Sequence, residues 1–167
     1  MNYAKLINCD FVNGLGIRIT LFISGCKKNP KCKDCYNQKA WSFDYGEEFT
    51  QVTFDTIIKW LTPKEIKGLS LLGGECMDNL QEDWLINLTK QAKSMGKDIW
   101  CWTGYLYEDL IKDARKVEFL KNLDVLVDGE FIPELKNMSL KFRNSSNQRV
   151  IDIQKSLKQD KVVLWVE

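Results

Sequence analysis

Ile17-Arg-Ile-Thr-Leu-Phe-Ile23-Ser-Gly-Cys26-Lys-Lys-Asn-Pro-Lys-Cys32-Lys-Asp-Cys35-Tyr36-Asn37 is the stretch on which the reading of this chain turns. Its first seven residues are mostly apolar and alternate poorly, as a strand covered on both faces does. Three cysteines follow in one loop, just past the carboxyl end of that strand, which is where α/β folds carry their chemistry. Three soft thiolates suit an iron–sulfur cluster, zinc or copper(I). A closed tetrahedral zinc site takes four ligands, usually cysteine with histidine. The chain contains no histidine, and its other cysteines, Cys9, Cys76 and Cys101, stand singly. Three clustered ligands therefore favour a metal centre with one position left open, as a [4Fe–4S] cluster on three cysteines has. Zinc, or thiols that are merely buried and reduced, are the competing readings. Cys9 reads either as a fourth ligand or as a small buried hydrophobe.

Outward from this loop the pattern repeats. Residues 54–61 read as a helix that Thr53 caps and Thr62-Pro63 ends. Residues 68–72 form a short apolar strand that stops at Gly73-Gly74-Glu75. An apolar stripe at positions 80, 84, 85, 88 and 92 marks a helix within 80–95, with Trp84 in the core. Asp98–Trp102 is a third strand, ending at Thr103-Gly104-Tyr105. Helical turns within 107–120 precede a fourth strand at 123–127, which ends at Asp128-Gly129. Strand, polar loop and helix recur in the order that builds a parallel sheet. Asn13-Gly14-Leu15-Gly16 reads as a turn feeding the 17–23 strand, and Gly46 as another. Residues 135–147 are polar and basic. Two apolar runs, 150–153 and 162–165, pair as a terminal hairpin or cover the edge of the sheet.

Several segments in this order carry a resemblance. They are Cys9-Asp10-Phe11-Val12-Asn13-Gly14, Gly25-Cys26, Cys32-Lys33-Asp34-Cys35-Tyr36-Asn37 and Gly73-Gly74-Glu75. Further on come Asp98-Ile99-Trp100-Cys101-Trp102-Thr103-Gly104-Tyr105, Asp128-Gly129 and Ser146-Asn147-Gln148-Arg149-Val150-Ile151-Asp152. Over nearly the whole chain the sequence resembles the radical S-adenosylmethionine superfamily, and closely the activating proteins of anaerobic (class III) ribonucleotide reductase. The resemblance implies Cys26, Cys32 and Cys35 as ligands of a [4Fe–4S] cluster. It implies cofactor contacts to S-adenosylmethionine from Tyr36, Asn37, Gly73, Gly74, Glu75 and Thr103, and a part for Asn147, Gln148 and Arg149 in shaping the site or a partner surface. It implies reductive cleavage of S-adenosylmethionine to a 5′-deoxyadenosyl radical, which takes hydrogen from a glycine of the reductase's large subunit. A low-potential electron donor such as flavodoxin is implied as well, and no side-chain base is required. Activation of a different glycyl-radical enzyme is the nearest alternative, and a zinc-binding interaction module the more distant one. The family's usual spacing is three residues, then two; here it is five, then two, with Asn29-Pro30 inside the longer gap. Lengthening a flexible loop slightly costs little closure entropy, and Asn-Pro is a natural turn pair.

The implied fold is α/β, a partial, open (β/α) barrel, because a closed eight-stranded barrel needs about 250 residues. The 167 residues suit one domain spanning 1–167, and 44% hydrophobic with 28% charged content supports a packed core. A net charge of +1 argues against a general nucleic-acid binder. Neither a signal segment nor a stretch able to span a bilayer is legible, so a reducing cytoplasm fits better than a secreted disulfide scaffold. Lys27, Lys28, Lys31 and Lys33 make the cysteine loop basic: either a solvated loop, or an electropositive rim for an acidic donor.

Overall fold

The computed structural model describes residues 1–166, and seven strands form one sheet. At its centre β2 (Ile17–Ile23), β4 (Ile66–Gly73), β5 (Asp98–Trp102) and β6 (Val125–Asp128) run parallel. β1 (Asn2–Asp10) lies antiparallel beside β2, with the two-residue β3 (Glu47–Glu48) outside it, and β7 (Arg149–Asp152) lies antiparallel beside β6. The result is an α/β fold on a mixed, partly open sheet whose antiparallel strands are at the edges.

The parallel strands are buried on both faces for different reasons. Successive side chains of a strand point to opposite sides. Ile19, Leu21 and Ile23 of β2, Leu69 and Leu71 of β4, and Ile99 and Cys101 of β5 belong to one core cluster. Ile57 and Leu61 of α1 (Gln51–Leu61) and Leu85 and Leu88 of α2 (Trp84–Ser94) complete it. The alternate positions, Arg18, Thr20, Ser70 and Trp100, are buried as well. There the cover is aromatic: the Trp100 ring lies 4.9 Å from Phe142 and 5.1 Å from Trp165.

Arg18 is the residue that composition and periodicity did not flag. Its side chain is wholly buried at the amino ends of the parallel strands. Nε donates to Ser70 Oγ at 2.7 Å, Nη1 to Asp98 Oδ1 at 2.5 Å and to the Leu15 carbonyl at 3.1 Å, and Nη2 to the Leu69 carbonyl at 2.9 Å. The guanidinium also lies 5.4 Å from the Trp100 ring centroid. One cation thus ties the starts of three neighbouring strands together at the end of the sheet opposite the cysteine loop.

Several boundaries differ from expectation, each for a local reason. β1 has no apolar periodicity because as a near-edge strand it is mostly half-exposed. α1 starts at Gln51 because Thr50 is its cap, and Thr53 reciprocates in a capping box instead of capping itself. The charged connection before the last apolar run is a helix, α5 (Ile153–Gln159), so β7 pairs with β6, and the expected hairpin reduces to a single bridge between Ile151 and Leu164. Two short helices, α3 (Tyr107–Leu110) and α4 (Ala114–Leu120), fill the span read as helical turns. Among the described residues no helix is long and apolar enough to cross a membrane.

Candidate cluster and cofactor site

The cysteine loop is laid against the carboxyl ends of β2 and β4 by backbone hydrogen bonds. Gly74 N–H donates to the Ile23 carbonyl at 2.7 Å and Glu75 N–H to the Gly25 carbonyl at 2.8 Å. Gly25 N–H and Cys26 N–H donate to the carbonyls of Ala40 and Trp41 at 2.8 and 3.1 Å. These contacts explain the glycine pair. A Cβ on Gly73 would lie 2.6 Å from the Ile23 oxygen, and one on Gly74 would lie 2.5 Å from the Gly25 oxygen. Gly73 is also at φ +114°, a conformation L side chains rarely adopt. The glycines therefore allow backbone to meet backbone, in addition to leaving room for a ligand.

A cavity of about 150 Å³ opens at this junction. Cys32, Cys35, Tyr36, Asn37, Gly73, Gly74 and Thr103 line it, together with Trp102, Phe131, Asn144 and Gln148. A wider recess of about 580 Å³, beyond Cys35, Tyr36 and Asn37, runs toward β1. The smaller cavity is where the expected site residues converge. Two of them do not line it. Cys26 sits half-buried at the start of the loop, and Glu75 is buried beneath the cavity. Among the described residues, no three His, Cys, Asp or Glu side chains are gathered as ligands of one metal ion. A cluster spreads its thiolates over separate irons, so the chemistry of the donor set is the fitting test. Three cysteines on one half-buried loop pass it. Burial pushes the Cys26 thiol above its ordinary value, and burial with the nearby Glu130 carboxylate pushes Cys32 up to about 11. Such thiols stay protonated until a metal displaces the proton. The Asn37 N–H points at Cys35 Sγ from 3.4 Å.

Glu75 is the hub under this floor. Its carboxylate accepts from Thr103 Oγ1 at 2.8 Å, Gly104 N–H at 2.9 Å and Met77 N–H at 3.1 Å. Burial nevertheless dominates and pushes the carboxyl up to about 7 from an ordinary 4.5. Between those values the folded protein binds a proton that the unfolded chain releases. The stabilisation is therefore complete below about pH 4.5 and is lost as pH rises toward 7, amounting to at most about 3 kcal/mol. Urea midpoints of the metal-free protein should fall between pH 5 and pH 7.5, and Glu75→Gln should flatten that slope. Equal slopes in the two proteins would contradict this account.

Other residues join the site without having been anticipated. Asp78 Oδ2 accepts the Lys27 N–H at 2.5 Å, and the Tyr105 hydroxyl donates to Asp78 Oδ1 at 3.1 Å. Lys28 is not a free rim charge: its side chain is 16% exposed, and its Nζ donates to the Gly104 carbonyl at 3.2 Å and lies 3.4 Å from Glu130. Lys33 pairs with Glu134 in solvent, and Lys27 lies over the Phe43 ring. Gln148 lines the cavity, whereas Asn147 holds the Glu130 carbonyl and Arg149 clasps Asp128 and Glu108. Cys9 is exposed at φ +60°, which corrects its reading as a buried hydrophobe. Cys76 and Cys101 are buried free thiols. The lysine-to-Gly104 and Asp78 contacts depend on tertiary approach, and no sequence spacing announces them.

A three-cysteine loop and a glycine-rich floor at the carboxyl ends of parallel strands define a cluster-bearing α/β protein. The family described as a 4Fe-4S single cluster domain matches residues 12–151. The chain is 43% identical over 152 residues to the anaerobic ribonucleoside-triphosphate reductase-activating protein of Haemophilus influenzae, covering 89% of this chain and 96% of that protein. It is 41% identical over 154 residues to the protein of that name from Escherichia coli K12, covering 90% and 97%. It is 39% identical over 152 residues to the one from Enterobacteria phage T4, covering 90% and 93%. The chain belongs to this family of anaerobic ribonucleoside-triphosphate reductase-activating proteins.

Proposed function

We propose that this chain activates an anaerobic ribonucleotide reductase by generating a glycyl radical on its large subunit, with Cys26, Cys32 and Cys35 as the ligands of a [4Fe–4S] cluster. The observation that carries the reading is the convergence of Cys32, Cys35, Tyr36, Asn37, Gly73, Gly74 and Thr103 on one cavity. When bound, the cluster supplies the electron that cleaves S-adenosylmethionine to methionine and a 5′-deoxyadenosyl radical, the species that takes hydrogen from the glycine.

The chain's own residues hold and orient. Backbone groups of Gly73 and Gly74 present a side-chain-free floor to the methionyl end of the cofactor. Glu75 fixes that floor to the end of β5 through Thr103 and Gly104, and is a positioning residue more than a direct contact. Tyr36 and Asn37 flank the last thiolate. Thr103 lines the cavity and donates its hydroxyl to Glu75. We read residues 1–167 as one domain, a partial, open (β/α) barrel of the radical S-adenosylmethionine type, working in the cytoplasm. A flavodoxin-like donor would approach the side of the loop that carries Lys27.

The test is anaerobic reconstitution, reduction, and assay for 5′-deoxyadenosine with and without the large reductase subunit, read together with the electron paramagnetic resonance signal of that subunit. A glycyl radical on the reductase is the expected result. Its appearance on a different glycyl-radical enzyme instead would redirect the assignment, and iron-free, zinc-containing protein would end it.

A further inference from the structure

A lysine on a surface loop ordinarily keeps its ammonium in water. Lys28, inside the longer gap of the cysteine loop, turns inward instead. Its Nζ lies 5.4 Å from the Tyr105 ring centroid, and its stem runs past Gly104, where a Cβ would stand 2.8 Å from Lys28 Cδ. Gly104 is not in the left-handed region, so the absence of a side chain there leaves room for the lysine stem. The Gly104 carbonyl accepts from Lys28, while its amide donates to Glu75.

Glu130 stands opposite as the counter-charge, half-buried and 3.4 Å from Lys28 Nζ. Its place is fixed by backbone: Asn147 Nδ2 donates to the Glu130 carbonyl at 2.8 Å, and Gln148 Nε2 to the Gly129 carbonyl at 3.0 Å. Lys28 and Glu130 line a cavity of about 320 Å³ that shares Gly104 and Gly129 with the cavity lined by Cys32 and Cys35. The pair is thus built into the wall behind the thiols. Beyond the effect of burial, the two charges act on the Cys32 sulfur with opposite sign, Glu130 disfavouring its thiolate and Lys28 favouring it. Charges beside a cluster, poorly screened by water, change the free energy of adding an electron to it.

We propose that Lys28 and Glu130 are positioning residues that adjust the reduction potential of the cluster held by Cys26, Cys32 and Cys35, Lys28 raising it and Glu130 lowering it. The inference rests on the cluster assignment made above and concerns how readily the electron arrives, not which partner is activated.

The experiment titrates the reconstituted protein against low-potential viologen dyes and follows the reduced cluster by electron paramagnetic resonance, with neither S-adenosylmethionine nor reductase present. Lys28→Met should shift the one-electron equilibrium toward the oxidised cluster by about threefold or more, roughly 30 mV. Glu130→Gln should shift it by a similar factor toward the reduced cluster, and Lys28→Arg, which keeps the charge, should recover most of the Lys28→Met shift. Iron content and thermal melting check that each variant is loaded and folded; if Lys28→Met fails that check, Glu130→Gln decides alone. The opposed signs matter, because either variant breaks the same ion pair. A shift of one sign in both would mark a purely structural clasp and overturn the proposal, as would potentials equal to wild type. Absence of any iron–sulfur signal in the wild type would defeat the functional reading and this inference together, whereas unmoved potentials in a loaded protein would defeat this inference alone.

Discussion

Anaerobically purified protein carrying Cys26→Ala, Cys32→Ala or Cys35→Ala is expected to form no 5′-deoxyadenosine above background, whereas Cys76→Ala retains activity. The argument is one of ligand count. Three thiols share the loop, and no histidine anywhere in the chain can replace one. Cys9 is exposed on β1 and Cys76 and Cys101 are buried elsewhere, so none stands ready as a substitute. Removing one ligand leaves two, and the cluster is lost or loses its fixed orientation. Iron content and cluster absorbance check the cause: a variant that keeps a full complement of iron, sulfide and activity would remove its cysteine from the ligand set. Cys26 is the sharpest case, since it lies outside the cavity wall formed by the other two.

The largest expected effect on stability comes from the opposite end of the sheet. Arg18→Met should destabilise the fold by about 3–5 kcal/mol, the usual cost of breaking a buried ion pair from one side. For a chain of this size that corresponds to a fall of roughly 6–20 °C in melting temperature. The variant leaves Asp98 without its cation, and the Ser70 hydroxyl and Leu69 carbonyl without their donor. Burial already pushes the Asp98 carboxyl up against the pull of Arg18, and pushes Arg18 down against the pull of Asp98. Both partners thus carry a desolvation cost that their pairing offsets, with Lys67 assisting Asp98, and with Asp124 and Asp10 assisting Arg18. Adding Asp98→Asn to Arg18→Met should recover part of the loss, and a double-mutant cycle measures how much. A melting temperature within 2 °C of wild type for Arg18→Met, a shift of only about 1 kcal/mol, would show that the guanidinium is dispensable.

The parallel core was legible because it obeys local rules. β2 and β5 match the apolar runs at 17–23 and 98–102 residue for residue, and each ends where a polar, glycine-bearing loop begins. The resemblance implied a shared site for Cys32, Cys35, Gly73, Gly74 and Thr103, and their strand-end positions agree with it, since all lie at or just past the carboxyl ends of adjacent strands. What escaped has no local signature. β1 is a strand through its pairing with β2, not through its own alternation. Arg18 reads as one charge interrupting an apolar run, and only the fold supplies Asp98, 80 residues away, to receive it. Glu75 reads as a ligand contact, yet its three donors turn it into a brace, and two of them come from the next strand's end.

The five-residue gap between Cys26 and Cys32 is held to the rest of the fold at two points. Lys28 leaves the loop, crosses the Tyr105 ring at 5.4 Å and reaches the Gly104 carbonyl and Glu130, while the neighbouring amide of Lys27 is held by Asp78. The loop is therefore cross-braced: Lys28 ties the segment after the first thiol to residues that follow β5 and β6. Replacing Lys28 would remove that tie without touching any of the three thiols.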